Sequence, residues 1–331
     1  MTDQLRWGIL GASKFALDKM GPAIHAARGS RIAALATRDP AKAAPFRAFA
    51  GDIAVHGDYD ALLADPGVDA VYIPLPHTMH VAWAIRALEA GKHVLVEKPV
   101  AMHADEIAPL IEARDRTGLQ CAEGYMIVHH PQWQRVRALL AEGAVGRLRH
   151  VEAVFTYDNS GDSGNIRNAA ATGGGALPDI GVYTYGSTRW ATGAEPEEIT
   201  SAVFDWEAGC DVLARVGARF DTPEGGFTAH WVNAMRLWHE QFILFHGERG
   251  LLRLDAPYNA GVFGEARLEI RDGRGTRIER WPRPNQYVLQ VEAFAAAVRG
   301  EAPFPWTLED ARGTQRVIDM AYAAGGGRPA A

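Results

Sequence analysis

Over the first third of the chain, short apolar runs alternate with stretches whose apolar residues recur at helical spacing. The runs are Leu5–Leu10, Arg31–Ala36, Ile53–His56, Ala70–Ile73, His93–Val96 and Gln120–Ala122. The helical stretches follow Asp39-Pro40 and cover Tyr59–Leu63, Met79–Ala90 and Ala104–Thr117. Strand and helix in strict alternation predict a parallel, doubly wound sheet, so residues 1–123 read as an α/β Rossmann domain. Beyond Tyr125 the texture changes. After a helical pattern at Pro131–Glu142, long segments of period two take over: His150–Tyr157, Ile199–Trp206, Val212–Phe220, Phe227–Ala234, Leu237–His246 and Arg267–Arg271. Glycine-rich turns separate most of them, as between neighbouring antiparallel strands. Residues 124–331 therefore read as an α+β domain on a large, mostly antiparallel open sheet, closed by helices at Pro284–Arg299 and Thr307–Ala324.

Composition agrees with two domains and narrows the function classes. With 331 residues, 47% apolar and 22% charged, the chain is expected to be a soluble globular protein too long for one ordinary core. A net charge of −6 argues against nucleic acid or an anionic membrane as partner. Cys121 and Cys210 suggest neither a disulfide framework nor a zinc site. The histidines (His77, His80, His129, His130, His150 and His239) fall in no metal-ligand spacing, so no metal is expected. Met1-Thr2-Asp3-Gln4-Leu5-Arg6 lacks the apolar core of a signal peptide, and no apolar run approaches the ~18 residues of a membrane helix. A cytoplasmic location is the expectation.

Chemistry enters at three places. Leu5–Leu10 runs into Gly11-Ala12-Ser13-Lys14-Phe15-Ala16, a strand, glycine turn and helix start in which Ser13 and Ala16 stand where a G-x-G-x-x-G fingerprint has its later glycines. Ser13 is small enough to admit a pyrophosphate, and its hydroxyl suits either a helix cap or a phosphate oxygen. At the end of the second strand, Thr37-Arg38 replaces the acidic residue of an NAD site and favours NADP, with NAD as the alternative; an arginine merely solvated at a strand end is the plain reading. Asp39 before Pro40 reads as a helix cap. The run His93–Val96 ends in Glu97-Lys98-Pro99, which puts a lysine at the carboxyl end of a parallel strand, where such sheets bind ligands. Pro99 stops the strand and suits a cis peptide. Finally, Asp179 and Tyr183, four apart after Gly173-Gly174-Gly175, share one face of a helix running to about Thr192. The plain reading there is a cap and a packing residue.

Taken together, Gly8-Ile9-Leu10-Gly11-Ala12-Ser13, the segment Val71–His80, Glu97-Lys98-Pro99 and Asp179-Ile180-Gly181-Val182-Tyr183 resemble the Gfo/Idh/MocA oxidoreductases over nearly the whole chain. Within them the chain looks like the NADP-dependent aldose (xylose-type) dehydrogenases and dimeric dihydrodiol dehydrogenases, a likeness shared by Asn165-Ile166-Arg167. The resemblance implies Lys98, Asp179 and Tyr183 around the reacting carbon. It implies a cofactor site from Gly8, Gly11, Ser13, Lys14, Phe15, Thr37, Arg38, Pro74, Pro76, His77, His80, Glu97 and Lys98. On the substrate side it implies Tyr125, Asn165 and Arg167 beside Lys98, Asp179 and Tyr183. Two positions depart from the family's pattern: Tyr183 stands where many members have histidine, and His77 where asparagine is usual.

The chemistry is coherent by itself. Oxidising a hydroxyl carbon needs a base for the proton while hydride leaves, and a tyrosine with its pKa near 10 becomes usable beside an ammonium such as Lys98. The expected activity is an NADP-dependent sugar or polyol dehydrogenase that forms a lactone from a pyranose. The alternatives are a trans-dihydrodiol dehydrogenase and a dinucleotide-binding regulator without catalysis. An apolar sheet face carrying Trp231, Val232 and Trp238 predicts a homodimer or higher oligomer.

Overall fold

The computed structural model describes residues 4–162 and 164–328; residues 1–3, part of the N-terminal reading above, 163 and 329–331 lie outside it. The chain divides into two compact units. The first takes Met1–Ala101, Asp105–His129 and Asn285–Glu309; the second takes Met102–Ala104, His130–Pro284 and Asp310–Ala331.

In the first unit the apolar runs become strands β1 (Leu5–Leu10), β2 (Ser30–Ala36), β3 (Ala54–His56), β4 (Ala70–Ile73), β5 (His93–Val96) and β6 (Cys121–Glu123). They form a six-stranded parallel sheet in the order β3-β2-β1-β4-β5-β6. Its helices are α1 (Gly21–Ala26), α2 (Ala44–Ala50), α3 (Tyr59–Leu63), α4 (His80–Glu89) and α5 (Ile107–Thr117), with α8 (Gln286–Val298) from near the chain's end. Strands covered on both faces need continuous apolar runs. Accordingly Ala70–Ile73 and Val94–Val96 are wholly buried. Gly8 belongs to this packing: a Cβ there would come within 2.6 Å of Leu62 Cδ2. The strand order reverses between β1 and β4, and in open α/β sheets the crevice for ligands lies outside the carboxyl ends at such a point. The segments leaving β1, β4 and β5 all begin at those ends.

The second unit carries an eight-stranded sheet of β7 (Leu148–Asp158), β8 (Pro196–Glu207), β9 (Cys210–Phe220), β10 (Phe227–Ala234), β11 (Arg236–Gly247), β12 (Gly250–Leu254), β13 (Arg267–Asp272) and β14 (Gly275–Arg280). The order is β14-β13-β12-β11-β7-β10-β9-β8, antiparallel throughout except between β7 and β10. Helices α6 (Pro131–Ala141), α7 (Val182–Thr192) and most of α9 (Leu308–Ala324) complete the unit. Two strands escape the pattern in the sequence. β12 begins on a glycine expected to be a turn, and β14 is an edge strand of largely exposed, charged residues.

The expectation for the open face needs correction. Trp231 is fully buried, and its indole N–H donates to Thr188 Oγ1 of α7 at 3.0 Å. Successive strand residues point to opposite faces, so Val232 cannot share a face with Trp231. Only Trp238 among the aromatics named is widely open, 81% exposed, next to Leu237 at 42%.

Candidate active site

The turn after β1 is built for a close approach of backbone to ligand. Gly11 has φ +99°, in the left-handed region that favours glycine, and its N–H donates to Ala36 O at 3.0 Å. The Ser13 hydroxyl accepts the Ala16 N–H at 3.1 Å, so it serves as the cap foreseen for it. After an α-helical start, in which the Leu17 N–H donates to Ser13 O at 3.0 Å, Ala16–Met20 forms a π-helical turn, a rare insertion that recurs at functional sites. Lys14 is exposed and paired with Asp18, while Phe15 sets its ring edge-on to Tyr287 at 5.8 Å.

At the end of β2, the Thr37 hydroxyl is engaged with the Asp39 backbone, donating to its carbonyl at 3.2 Å. Asp39 caps the following turn through the Ala41 N–H at 3.0 Å. Arg38 is exposed and carries no hydrogen bond or ion pair among the described residues. A permissive glycine turn, a helix start and an unspent guanidinium at the second strand's end fit a dinucleotide bearing a 2′-phosphate.

The segments after β4 and β5 are fastened to each other. Pro74, Pro76 and His77 lead into α4, and the buried His77 ring lies 5.6 Å from that of His80. His80 is fully buried, with Nδ1 2.8 Å from Pro99 O and Nε2 2.8 Å from Leu75 O. Burial pushes His80 down to about 4, so the neutral ring has one N–H to donate to a carbonyl, and its other nitrogen faces the second carbonyl. His80, expected at the cofactor site, thus lies between the segment that follows β4 and the one that follows β5. Gly8, also expected at the cofactor site, sits inside β1 against Leu62 and Val68. Lys98 is buried, 8% exposed, and the Lys98–Pro99 peptide is cis. Glu97 accepts the Tyr72 hydroxyl at 2.6 Å. Tyr125, expected toward substrate, is completely buried and stacks on Trp306 with centroids 4.2 Å apart.

In the second unit, Asp179 is neither a cap nor part of an ordinary helix. It lies within Leu177–Gly181, a second π-helical turn, which runs directly into α7. The extra residue of that turn aims a carboxylate that is 6% exposed at two donors. Arg167 Nε donates to Oδ1 at 2.8 Å and the Tyr157 hydroxyl to Oδ2 at 2.6 Å. Asp179 is also the main reason that the Arg167 guanidinium is held more firmly charged than usual, with Tyr157 and Tyr183 adding to it. Burial, and then the Asp179 charge, push the Tyr157 phenol far up, so it stays a donor. Tyr183, 6% exposed, is walled by Phe155 and Tyr258, each with its ring centroid 5.7 Å away. Asn165, expected on the substrate side, stands two residues ahead of Arg167. It caps its own loop through the Arg167 N–H at 3.0 Å and donates to Asp162 at 3.1 Å. Tyr157 was not singled out in the sequence. Its strand pattern identifies a β-residue but not the carboxylate it meets.

A doubly wound parallel domain with a glycine turn, followed by a unit on an open, mostly antiparallel sheet that presents a buried Asp179 carboxylate held by Arg167 and Tyr157, defines a two-domain oxidoreductase that works with a nicotinamide dinucleotide. Residues 5–125 match the family described as oxidoreductase family, NAD-binding Rossmann fold, and residues 133–253 match the GFO/IDH/MocA C-terminal domain; the chain belongs to the Gfo/Idh/MocA family. It is similar to a dTDP-3,4-didehydro-2,6-dideoxy-alpha-D-glucose 3-reductase of Streptomyces violaceoruber, 39% identical over 298 residues, or 89% of this chain and 85% of that one. It is also similar to D-xylose 1-dehydrogenase (NADP(+)) 2 of Haloferax volcanii, 30% identical over 333 residues and 96% of each chain. A 3-ketoreductase from Actinomadura kijaniata, solved with NADP and TDP-benzene, superposes with a TM-score of 0.88 at 32% identity, covering 97% of this chain and 98% of that one. That ketoreductase has also been solved with a tyrosine replaced by phenylalanine and with a lysine replaced by alanine.

Proposed function

We propose that the protein is an NADP-dependent oxidoreductase acting on a hydroxyl or keto carbon of a sugar or related polyol. The observation that carries this reading is the Asp179 carboxylate, buried between the Arg167 guanidinium and the Tyr157 hydroxyl beside Tyr183. A nicotinamide dinucleotide, when bound, supplies the hydride acceptor or donor; Gly11, Ser13, Thr37 and Arg38 would hold it. The remaining work is proton handling. Tyr183 takes the proton of the substrate hydroxyl in oxidation and returns it in reduction. Arg167 favours the phenolate form of Tyr183, Asp179 holds Arg167 in place, and Lys98 supplies a further cation to the same reaction. From a pyranose the oxidised product is a lactone.

A second reading, reduction of a keto-sugar nucleotide, is supported by the 39% identity to the dTDP-sugar 3-reductase. One assay set separates the readings: NADP⁺ reduction across aldoses and trans-dihydrodiols, and NADPH oxidation with a keto-sugar nucleotide. Turnover of an aldose supports the dehydrogenase, and turnover of the nucleotide alone supports the reductase. NADPH binding without turnover of any substrate would leave the regulator. The exposed pair Leu237 and Trp238 supports self-association into a homodimer or higher oligomer, and a monomeric mass by sedimentation would contradict it.

A further inference from the structure

β6 ends on Glu123, a carboxylate only 2% exposed that none of the roles above uses. One oxygen accepts the Val100 N–H at 2.9 Å, and the other accepts the indole N–H of Trp306 at 2.8 Å. Val100 follows Lys98-Pro99 directly, so Glu123 grips the far end of the turn that presents the lysine. The near end is held by Glu97, whose N–H donates to Ile73 O at 3.1 Å, and the middle by His80 on the Pro99 carbonyl. Trp306 is itself fixed, fully buried and stacked on Tyr125. A buried carboxylate is costly unless its oxygens find donors, and here the donors found are one fixed indole and one amide of that turn.

We propose that Glu123 is a positioning residue for Lys98, acting through the Val100 amide and anchored by Trp306. The proposal rests on the reading of Lys98 as a residue of the reaction. Its geometry carries a consequence for pH. A carboxylate accepts on both oxygens, whereas a protonated carboxyl turns one of them into a hydroxyl that faces an N–H donor. One of the two anchors is then lost. Burial pushes Glu123 up to about 7, against the pull of Trp306, Val100 N–H and the Lys98 ammonium, with Glu97 adding to the rise. The turn is therefore held at both anchors only as pH rises through neutrality.

The test compares wild type, Glu123→Gln and Trp306→Phe in three measurements: kcat against pH, NADPH affinity, and infrared titration of the protonated carboxyl band. Glu123→Gln should lower kcat by ~10–100-fold, the usual cost of a slightly displaced reacting group, and leave NADPH affinity near wild type. It should also abolish the limb of the pH profile near neutrality. Trp306→Phe removes a donor from the carboxylate but keeps an aromatic ring against Tyr125. Both the kinetic limb and the infrared titration should then move together to higher pH. A limb and titration unmoved in Trp306→Phe would overturn the proposal even if Glu123→Gln failed to fold. Wild-type kcat at every pH in a folded Glu123→Gln protein would overturn it as well. Full turnover by Lys98→Met is a different failure, which removes the lysine from the reaction while the infrared titration still reads the Glu123 anchor.

Discussion

The Tyr157 hydroxyl donates to Asp179 Oδ2 at 2.6 Å, tying the end of β7 to the π-helical turn ahead of α7. Arg167 holds the other carboxylate oxygen at 2.8 Å, so removing the tyrosine hydroxyl leaves a nearly buried charge with one fewer donor. Losing a hydrogen bond to a charged group costs about 1.5–3 kcal/mol. Tyr157→Phe should therefore lower kcat/KM by roughly ten- to a hundredfold, with NADPH affinity unchanged. Steady-state kinetics beside a cofactor titration checks this, and an unchanged kcat/KM would remove Tyr157 from the site.

Arg38 has no protein partner among the described residues, so its guanidinium is available to a 2′-phosphate without breaking anything first. The expected result is tighter binding of NADPH than of NADH. Arg38→Ala should erase most of that preference, about 1–3 kcal/mol for a charge-assisted contact. Fluorescence titration of both dinucleotides decides it. Equal affinities in the unmutated protein would sink the assignment.

Much of this was legible in the chain because the relevant signals are local. Gly11, Asp39 and the Glu97-Lys98-Pro99 turn each declare a backbone need through residue type, and the structure places each where its strand or cap requires. His80 was not legible in the same way. The carbonyl of Leu75, 5 residues back, and that of Pro99, 19 residues ahead, decide where its ring nitrogens point, and no motif encodes that. The π-helical turn around Asp179 was hidden for a related reason. Four-residue spacing suggests a plain helix, whereas the turn reflects what Asp179 meets on β7 and in the loop of Arg167. Trp231 was misplaced because a strand with apolar residues at neighbouring positions does not say which face the helices cover.

The buried histidines set how stability responds to acid. Burial pushes His129 down to about 3 and both His130 and His80 to about 4. Each folded pKa is below the unfolded value near 6.5, so the unfolded chain binds more protons in between. Their contribution to stability is whole above ~6.5 and is lost as pH falls through that window. Asp211, raised to about 6, and Glu123, raised to about 7, run the other way and gain stability on acidification. The three histidine shifts outweigh the two carboxyl shifts, so urea midpoints should fall between pH 7 and pH 4. His129→Phe removes the largest of these shifts and should flatten the dependence; an unchanged slope in that variant would refute the assignment.

Tyr183 offers the sharpest test of the chemistry. The residue is buried, its ring walled by Phe155 and Tyr258 and its phenol coupled electrostatically to Arg167, an arrangement that plain packing does not require. Tyr183→Phe keeps the ring and those walls while deleting the one atom able to carry a proton. Turnover should fall by roughly 10²–10⁴, the usual worth of a general base, with NADPH affinity little changed. Lys98→Met should lower turnover over a similar range. Asp179→Asn weakens the grip on Arg167 and with it the support for the phenolate. If the tyrosine and the carboxylate serve one proton transfer, Asp179→Asn combined with Tyr183→Phe should cost far less than the product of the single effects. Independent contributions would instead multiply. Near-normal turnover by Tyr183→Phe would leave the tyrosine as a packing residue and return the proton to Lys98 or to Asp179 itself.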